Sequence, residues 1–309
     1  MPLAILILAH KNPRQVARLF EVIHRPEDLI VLHFDRRAPR ALHRLGRDLA
    51  RRHPNVILLR PRVVLWGGYR MVGIQLEAIA AALRSPVAWT HFINLTGQDF
   101  PLRPIDEIAT YLAARPAASF VSWFDPVFVS VWRDAHDRLA RYYIEWPWLD
   151  RLLRVRGLGR HLRRLLRWEN DLPHLTGYSR TWPDFHYYGG ANHVILSRAA
   201  GKYVCTSPAA RAIARWLRHS SHANEILFQT ALLNSPLAPT IVNTHLREID
   251  FPPHAAHPRT FTTADLERLA RSPHFFARKF DETVDARVLD ALTRRLPPRA
   301  GHRRDLAHL

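Results

Sequence analysis

The chain has 309 residues, 47% hydrophobic and 23% charged, which suits one large α/β domain or a domain with a subdomain. With 45 Lys+Arg against 27 Asp+Glu the formal net charge is +18. This points to a polyanionic neighbour (nucleic acid, anionic lipid or a phosphorylated small molecule), although arginine enrichment from a GC-rich genome gives the same figure without a partner. The single cysteine, Cys205, excludes an intrachain disulfide, and no run reaches the roughly 20 apolar residues that a membrane span needs.

Pro2–Ala9 is apolar but short, with no basic leader and no small-residue cleavage site, and reads as a first strand rather than a signal peptide. The expectation is therefore a cytoplasmic protein, with peripheral contact at the inner membrane as the further option. A helical stretch from Pro13 to Ile23 follows, then strands at Leu29–Phe34 and near Val56–Leu59. Met71–Leu83 is helical, with Val72, Leu76, Ile79 and Leu83 on one stripe, followed by a strand at His91–Leu95 and a helix at Ile105–Leu112. Strand–helix alternation with continuously apolar strands predicts a parallel sheet covered on both faces, with ligands bound beyond the carboxyl ends of its strands. The loops expected there are His10-Lys11-Asn12, Asp35-Arg36-Arg37, Trp66-Gly67-Gly68 and Gly97-Gln98-Asp99.

Arg151–Arg167 is an Arg/Leu-rich amphipathic excursion, either packed by its leucines or touching a membrane surface or anionic acceptor. Val194–Leu196 reads as a strand, and Ala209–Leu217 and Glu225–Leu233 as helices, with Ser221 or Asn224 as the candidate cap of the second. Thr262, Thr263 and Asp265 have the pattern of a capped helix start, and Pro297–Leu309 that of a frayed basic tail.

The chain contains no GxxxxGK[ST], no GxGxxG and no GxSxG, so P-loop, classical dinucleotide and α/β-hydrolase chemistry are disfavoured. It also lacks the Asp-x-Asp pair that many nucleotide-sugar transferases use to hold a metal against the diphosphate. Positive charge must then come from elsewhere. Lysine occurs only at Lys11, Lys202 and Lys279, and Lys279 is wedged into Phe275-Phe276-Ala277-Arg278-Lys279-Phe280-Asp281-Glu282. A compact ammonium retained in an arginine-rich chain suggests a tight anion site, to which His257-Pro258-Arg259 can add a second cation. Surface charge is the competing explanation. Glu225, as a carboxylate in a helical first turn, would stay ionised and could take a proton from a hydroxyl, or merely favour the helix. Asp35 suits a base or ribose contact and Trp66 a stacked base, against ordinary turn and core roles.

Seven segments, in order along nearly the whole chain, resemble the core-2/I-branching glycosyltransferase family, which includes the peptide O-xylosyltransferases. They are Ile7-Leu8-Ala9-His10-Lys11-Asn12-Pro13, Leu32-His33-Phe34-Asp35, Trp66-Gly67-Gly68-Tyr69, Phe92–Pro101, Asn224–Thr230, His257-Pro258-Arg259 and Phe276–Asp281. The resemblance implies a GT-A-like α/β fold and an inverting, metal-independent transfer of N-acetylglucosamine or xylose from a UDP-sugar to a hydroxyl of a glycan or other acceptor, with no cofactor. It implies Glu225 as general base, Arg259, Arg278 and Lys279 at the diphosphate, and Leu8, Asp35, Leu65 and Trp66 at the uridine, the last two at a strand end. Gln98, Asp99, Asn192 and His193 fall on the donor/acceptor side. The absence of an anchor and of further cysteines resembles a bacterial member. His193 stands where relatives carry an aromatic, which leaves the donor open, and roughly Phe124–Trp182 matches nothing, which leaves the acceptor open. The expected organisation is a transferase domain over 1–296, made of a nucleotide-binding half (1–120), an acceptor-side region (121–188) and a catalytic, diphosphate-binding half (189–296), then the basic tail 297–309. The alternative is a basic polyanion, nucleic-acid or membrane-surface binder on a degenerate transferase fold. No specific nucleic acid is expected as a partner.

Overall fold

Strands β1 (Leu3–Ala9), β2 (Leu29–Phe34) and β4 (His91–Thr96) are buried along almost their whole length, as their unbroken apolar runs require. They pair in parallel, with Ile5 opposite Ile30 on one side and Ile93 on the other. With β3 (Val56–Leu58), β6 (Ser119–Phe124), β7 (Gly189–Ser197) and β8 (Ile241–Val242) they form a seven-stranded sheet in the order β3-β2-β1-β4-β7-β6-β8. β7 runs antiparallel to both β4 and β6 and the other pairings are parallel, which makes the sheet mostly parallel, as the family resemblance implies. A second sheet, in the order β5-β10-β9, joins Asp99–Pro101, Phe276–Arg278 and Arg247–Ile249. The computed structural model describes residues 1–65, 67–126, 138–139, 184–252, 255 and 257–296. Trp66, the Arg/Leu-rich excursion at 151–167, most of the acceptor-side region and the basic tail lie outside the described residues.

Both faces are covered, as expected. On one side α1 (Pro13–Ile23), α2 (Arg40–Arg52), α4 (Ile105–Ala113) and α9 (Glu282–Arg295) bury Phe20, Leu45, Ile108 and Leu289 in one apolar cluster. On the other, α3 (Arg70–Arg84), α5 (Arg198–Thr206), α6 (Pro208–Leu217) and α7 (Leu227–Leu233) bury Ile79, Val204, Ile213 and Phe228. Proline at the first position opens both α1 and α6, where its missing N–H would have had no helical partner. α2 turns Leu42, Leu45 and Leu49 inward, and at Gly46 it approaches β2 so closely that a Cβ would meet the Phe34 ring at 2.6 Å. The buried face of α3 is broader than the stripe read from sequence, since Ile74, Gln75 and Ala78 join Val72 and Ile79 while Leu76 and Leu83 are half-buried.

The region around Glu225 departs from expectation. Ala223–Glu225 is a 3-10 turn, Ile226 has a non-helical backbone, and α7 begins only at Leu227. Neither Ser221 nor Asn224 caps a helix, because the turn is entered through His222 in the left-handed region. Burial of both Ala223 and Ile226 outweighs the continuous helix that local propensity favours. Thr262 and Asp265, by contrast, form the reciprocal capping box expected of them, ahead of α8 (Leu266–Arg271).

Candidate active site

The chain runs outward from β1 through β2 to β3, then crosses back to β4 on the other side of β1. That reversal opens a crevice beyond the carboxyl ends of β1 and β4, where open α/β sheets place ligands. A cavity of about 690 Å³ lies there, bounded by Leu8–Lys11 at the end of β1, His33 and Asp35 at the end of β2, and Thr96–Gln98 at the end of β4. Three of the four loops singled out in the sequence therefore reach it. The fourth is represented by Val64 and Leu65. Leu65 does not end a strand as expected, since β3 stops at Leu58 and an irregular extended run continues. At Gly67, with φ +75°, the chain takes a left-handed turn that favours glycine, and the His222 N–H donates to the Gly67 carbonyl (2.7 Å). This bond ties the Glu225 turn to the segment that follows Leu65 of the cavity wall.

The lining is of two kinds, with Arg37 and Asp35 set against Val64. Leu8, Val64, Leu65, Met71 and Ile74 make an apolar wall, while Lys11, Arg278, Lys279 and His257 supply cationic or polar groups. β10 carries Arg278 in by pairing with β5, so that Arg278 stands opposite Asp99. The Arg278 guanidinium donates to Thr96 Oγ1 (2.5 Å) and lies 3.5 Å from Asp99 Oδ1. Asp99 is fully buried and accepts from the Thr96 amide (2.5 Å), so it orients Arg278 from behind instead of facing the cavity. Gln98 does line the cavity, and its amide donates to the Phe280 carbonyl (3.3 Å). Lys279 makes no side-chain hydrogen bond or ion pair among the described residues. Burial, then Arg278 and Lys11 nearby, lower its pKa below the ordinary lysine value, against the pull of Asp281. Burial and Lys11 likewise lower that of His10, and burial takes His33 to about 4.

Asp35 lines the cavity, but its carboxylate already accepts from the Arg37 amide, the Arg37 guanidinium through Nε and Nη2, and the Val64 amide, at 2.7–3.1 Å. Burial pushes its pKa up, and these bonds more than offset that, leaving it below the ordinary value. It fixes the wall on which a base would rest. Asn192 stands behind Met71, donating to its sulfur (3.2 Å) and accepting from Gln75 (3.0 Å). His193 is buried, edge-on to His245, and desolvation holds it well below its ordinary pKa, so it is a core residue and not part of the cavity wall.

Arg259 is the largest departure. It was expected at the diphosphate beside Arg278 and Lys279, but it does not line the cavity. Its guanidinium is bidentate to Asp265 (2.6 and 2.9 Å) and donates to Asp250 (2.9 Å), and its amide donates to the Asp250 carbonyl (2.8 Å). It clasps the ends of the 250–259 loop, whose His257 and Pro258 reach the cavity. Glu225 is also outside the cavity lining; one of its contacts is a hydrogen bond from Arg138 (3.0 Å). Lys11 lies in a loop expected at the site but was given no role there, and Thr96 was not foreseen as a site residue. The scarcity of lysine pointed to Lys11, whereas nothing in the sequence marked Thr96 beyond its place in a motif.

A family model described as Core-2/I-Branching enzyme matches residues 3–270, and the chain belongs to that family. It is 27% identical over 311 aligned positions to Xylosyltransferase 2 of Canis lupus familiaris, and 26% identical over 308 to Xylosyltransferase oxt of Drosophila melanogaster. These alignments cover 94% and 92% of the chain but 33% and 32% of the relatives, so the chain spans about a third of their length. Among solved structures, mouse Xyloside xylosyltransferase 1 in its apo form aligns over 89% of the chain and 97% of its own at 12% identity, with a TM-score of only 0.37. No helix among the described residues is long and apolar enough to cross a membrane.

Proposed function

We propose that the chain is an inverting glycosyltransferase that needs no bound metal and moves a sugar from a UDP-sugar to a hydroxyl of a glycan or other acceptor. The observation that carries this is the Lys279 ammonium, without a side-chain partner among the described residues, standing beside Arg278 in a cavity that also offers the apolar side chains of Leu8 and Leu65. Membership in the Core-2/I-Branching family supports the transfer chemistry, and the relatives' names favour xylose over N-acetylglucosamine as the sugar. The uracil would rest on Leu8 and Leu65, with the diphosphate at Arg278 and Lys279. The acceptor oxygen bonds to the anomeric carbon from the face opposite the leaving group and passes its proton to Glu225. The bond from that carbon to the phosphate oxygen breaks, and its electron pair leaves with UDP. Two fixed cations stabilise the charge that gathers there, each charge-assisted bond being worth about 1.5–3 kcal/mol.

Glu225→Gln keeps the shape of the base and removes its function. Transfer to an acceptor should fall by about 10²–10⁴-fold while UDP affinity is kept. Wild-type turnover in that variant would remove Glu225 from the role. A thermal-shift series with UDP, UDP-xylose, UDP-N-acetylglucosamine and an oligonucleotide, run in EDTA, tests the donor. Stabilisation by the oligonucleotide alone would favour the polyanion-binding alternative that the +18 charge allows.

A further inference from the structure

Lys11 enters the same cavity from the loop after β1, far in sequence from the Arg278–Lys279 pair. Its ammonium donates to Asp281 Oδ2 at 2.5 Å, and its side chain keeps 38% exposure. Asp281 also has other partners. The other carboxylate oxygen accepts from the Asn12 amide (2.8 Å) and from the Thr283 hydroxyl (2.7 Å) and backbone N–H (3.1 Å), as the cap of α9. The mount is rigid, because the Gln15 amide donates to the carbonyls of Gly97 (2.7 Å) and Phe280 (3.1 Å) and its oxygen accepts from the Glu282 amide (2.8 Å). An ammonium has three N–H donors, and one bond to Asp281 leaves others for a ligand in the cavity.

We propose that Lys11 is a third ligand of the diphosphate, aimed into the cavity by Asp281, which acts as a positioning residue. The proposal rests on the UDP-sugar reading and extends it. The carboxylate holds the ammonium at the wall while no nucleotide is bound. When a diphosphate arrives, Lys11 donates to it with its remaining N–H groups, either keeping Asp281 or releasing it to Asn12 and Thr283. Asp281 is the carboxylate against Lys11, and the charge of Lys11 also acts on His10 and on Lys279, which stands beside Arg278. An anion between the three cations relieves their mutual repulsion.

The experiment titrates the full chain with UDP and with uridine by calorimetry in EDTA. Lys11→Gln retains a donor for Asp281 and removes the charge, and it should weaken UDP binding by about tenfold while leaving uridine binding unchanged. Lys11→Ala should behave alike. Asp281→Asn keeps the lysine charge and loosens its aim, so its effect on UDP should be smaller, again without effect on uridine. UDP affinity within about twofold of wild type in Lys11→Gln overturns the assignment alone. Equal losses for UDP and uridine also overturn it, since they would mean that Lys11 shapes the cavity as a whole. Failure of the wild type to bind UDP removes the UDP-sugar reading, and this assignment with it.

Discussion

Arg259→Ala and Lys279→Ala separate two cations to which sequence resemblance gives one task. Arg259 makes three guanidinium bonds to Asp250 and Asp265 at 2.6–2.9 Å, but its side chain is 39% exposed. Solvent screening reduces such pairs well below the worth of buried ones, so the clasp as a whole contributes about 1–3 kcal/mol. At roughly 2–4 °C per kcal/mol for a domain of this order of size, Arg259→Ala should lower Tm by about 2–12 °C. Lys279 has the opposite energetics, because burial and the neighbouring Arg278 and Lys11 disfavour its charge in the folded state. Its removal should leave Tm unchanged or raise it by about 1 °C. Affinity reverses the order. Lys279→Ala should weaken UDP binding by about tenfold or more, and Arg259→Ala should do so only through the loop it holds. Differential scanning fluorimetry and UDP titration on the same preparations give both readings. If Arg259→Ala melts like wild type and loses UDP as Lys279→Ala does, the separation of clasp from cradle is wrong.

Acid should destabilise the fold earlier than carboxylates alone predict. His33 and His245 are held at about 4 by desolvation, against an ordinary 6.5, so between those values the unfolded chain binds protons that the folded chain refuses. Stability is then complete above about 6.5 and is lost as pH falls toward 4, at about 1.4 kcal/mol per unit for each histidine. Asp35 and Asp281, whose folded pKa values are depressed, add their loss only below the ordinary carboxylate value of 3.8. Urea midpoints that are flat between pH 7 and 5 would contradict this. Gly190→Ala should cost about 3 kcal/mol or more, since a Cβ there would lie 2.0 Å from the Ser122 carbonyl oxygen on the adjacent strand; a wild-type urea midpoint in that variant would contradict it. Cys205, whose thiol is pushed up to about 11 by burial, should resist thiol reagents at pH 8 until the chain unfolds, which rapid labelling of native protein would disprove.

How much of this was legible depended on how far apart the interacting residues lie. β1, β2 and β4 could be read because each is a continuous apolar run flanked by turn residues, and the ligand crevice followed from their order. β5, β9 and β10 have three residues each, too few to show a period, and they exist only because they pair with one another. β10 is what brings Arg278 to Asp99, so the support of the cationic group was not readable although its residues were. Asp265 shows the same limit at one residue. Its capping role follows a sequence pattern and was visible, whereas its bidentate hold on Arg259, six residues back across an irregular loop, follows none and was not. Nor did the sequence show that His193 turns inward, because β7 is buried without a break from His193 to Ser197 and a polar residue at the start of such a run does not reveal its own burial.

The cationic group is also where the fold works against itself. Lys11 has Asp281 and Arg278 has Thr96 and Asp99, but Lys279 joins them with no carboxylate of its own among the described residues, in a position where burial already disfavours its charge. Local conflict of this kind, supported by well-packed surroundings, is what a binding site displays and a structural ion-pair network does not. The Arg259 cluster makes the contrast within the same chain: each guanidinium there meets two carboxylates. A dianion removes the conflict at Lys279 and a neutral ligand does not. The excess positive charge in this one cavity is therefore better evidence for a diphosphate than the +18 spread over the whole chain.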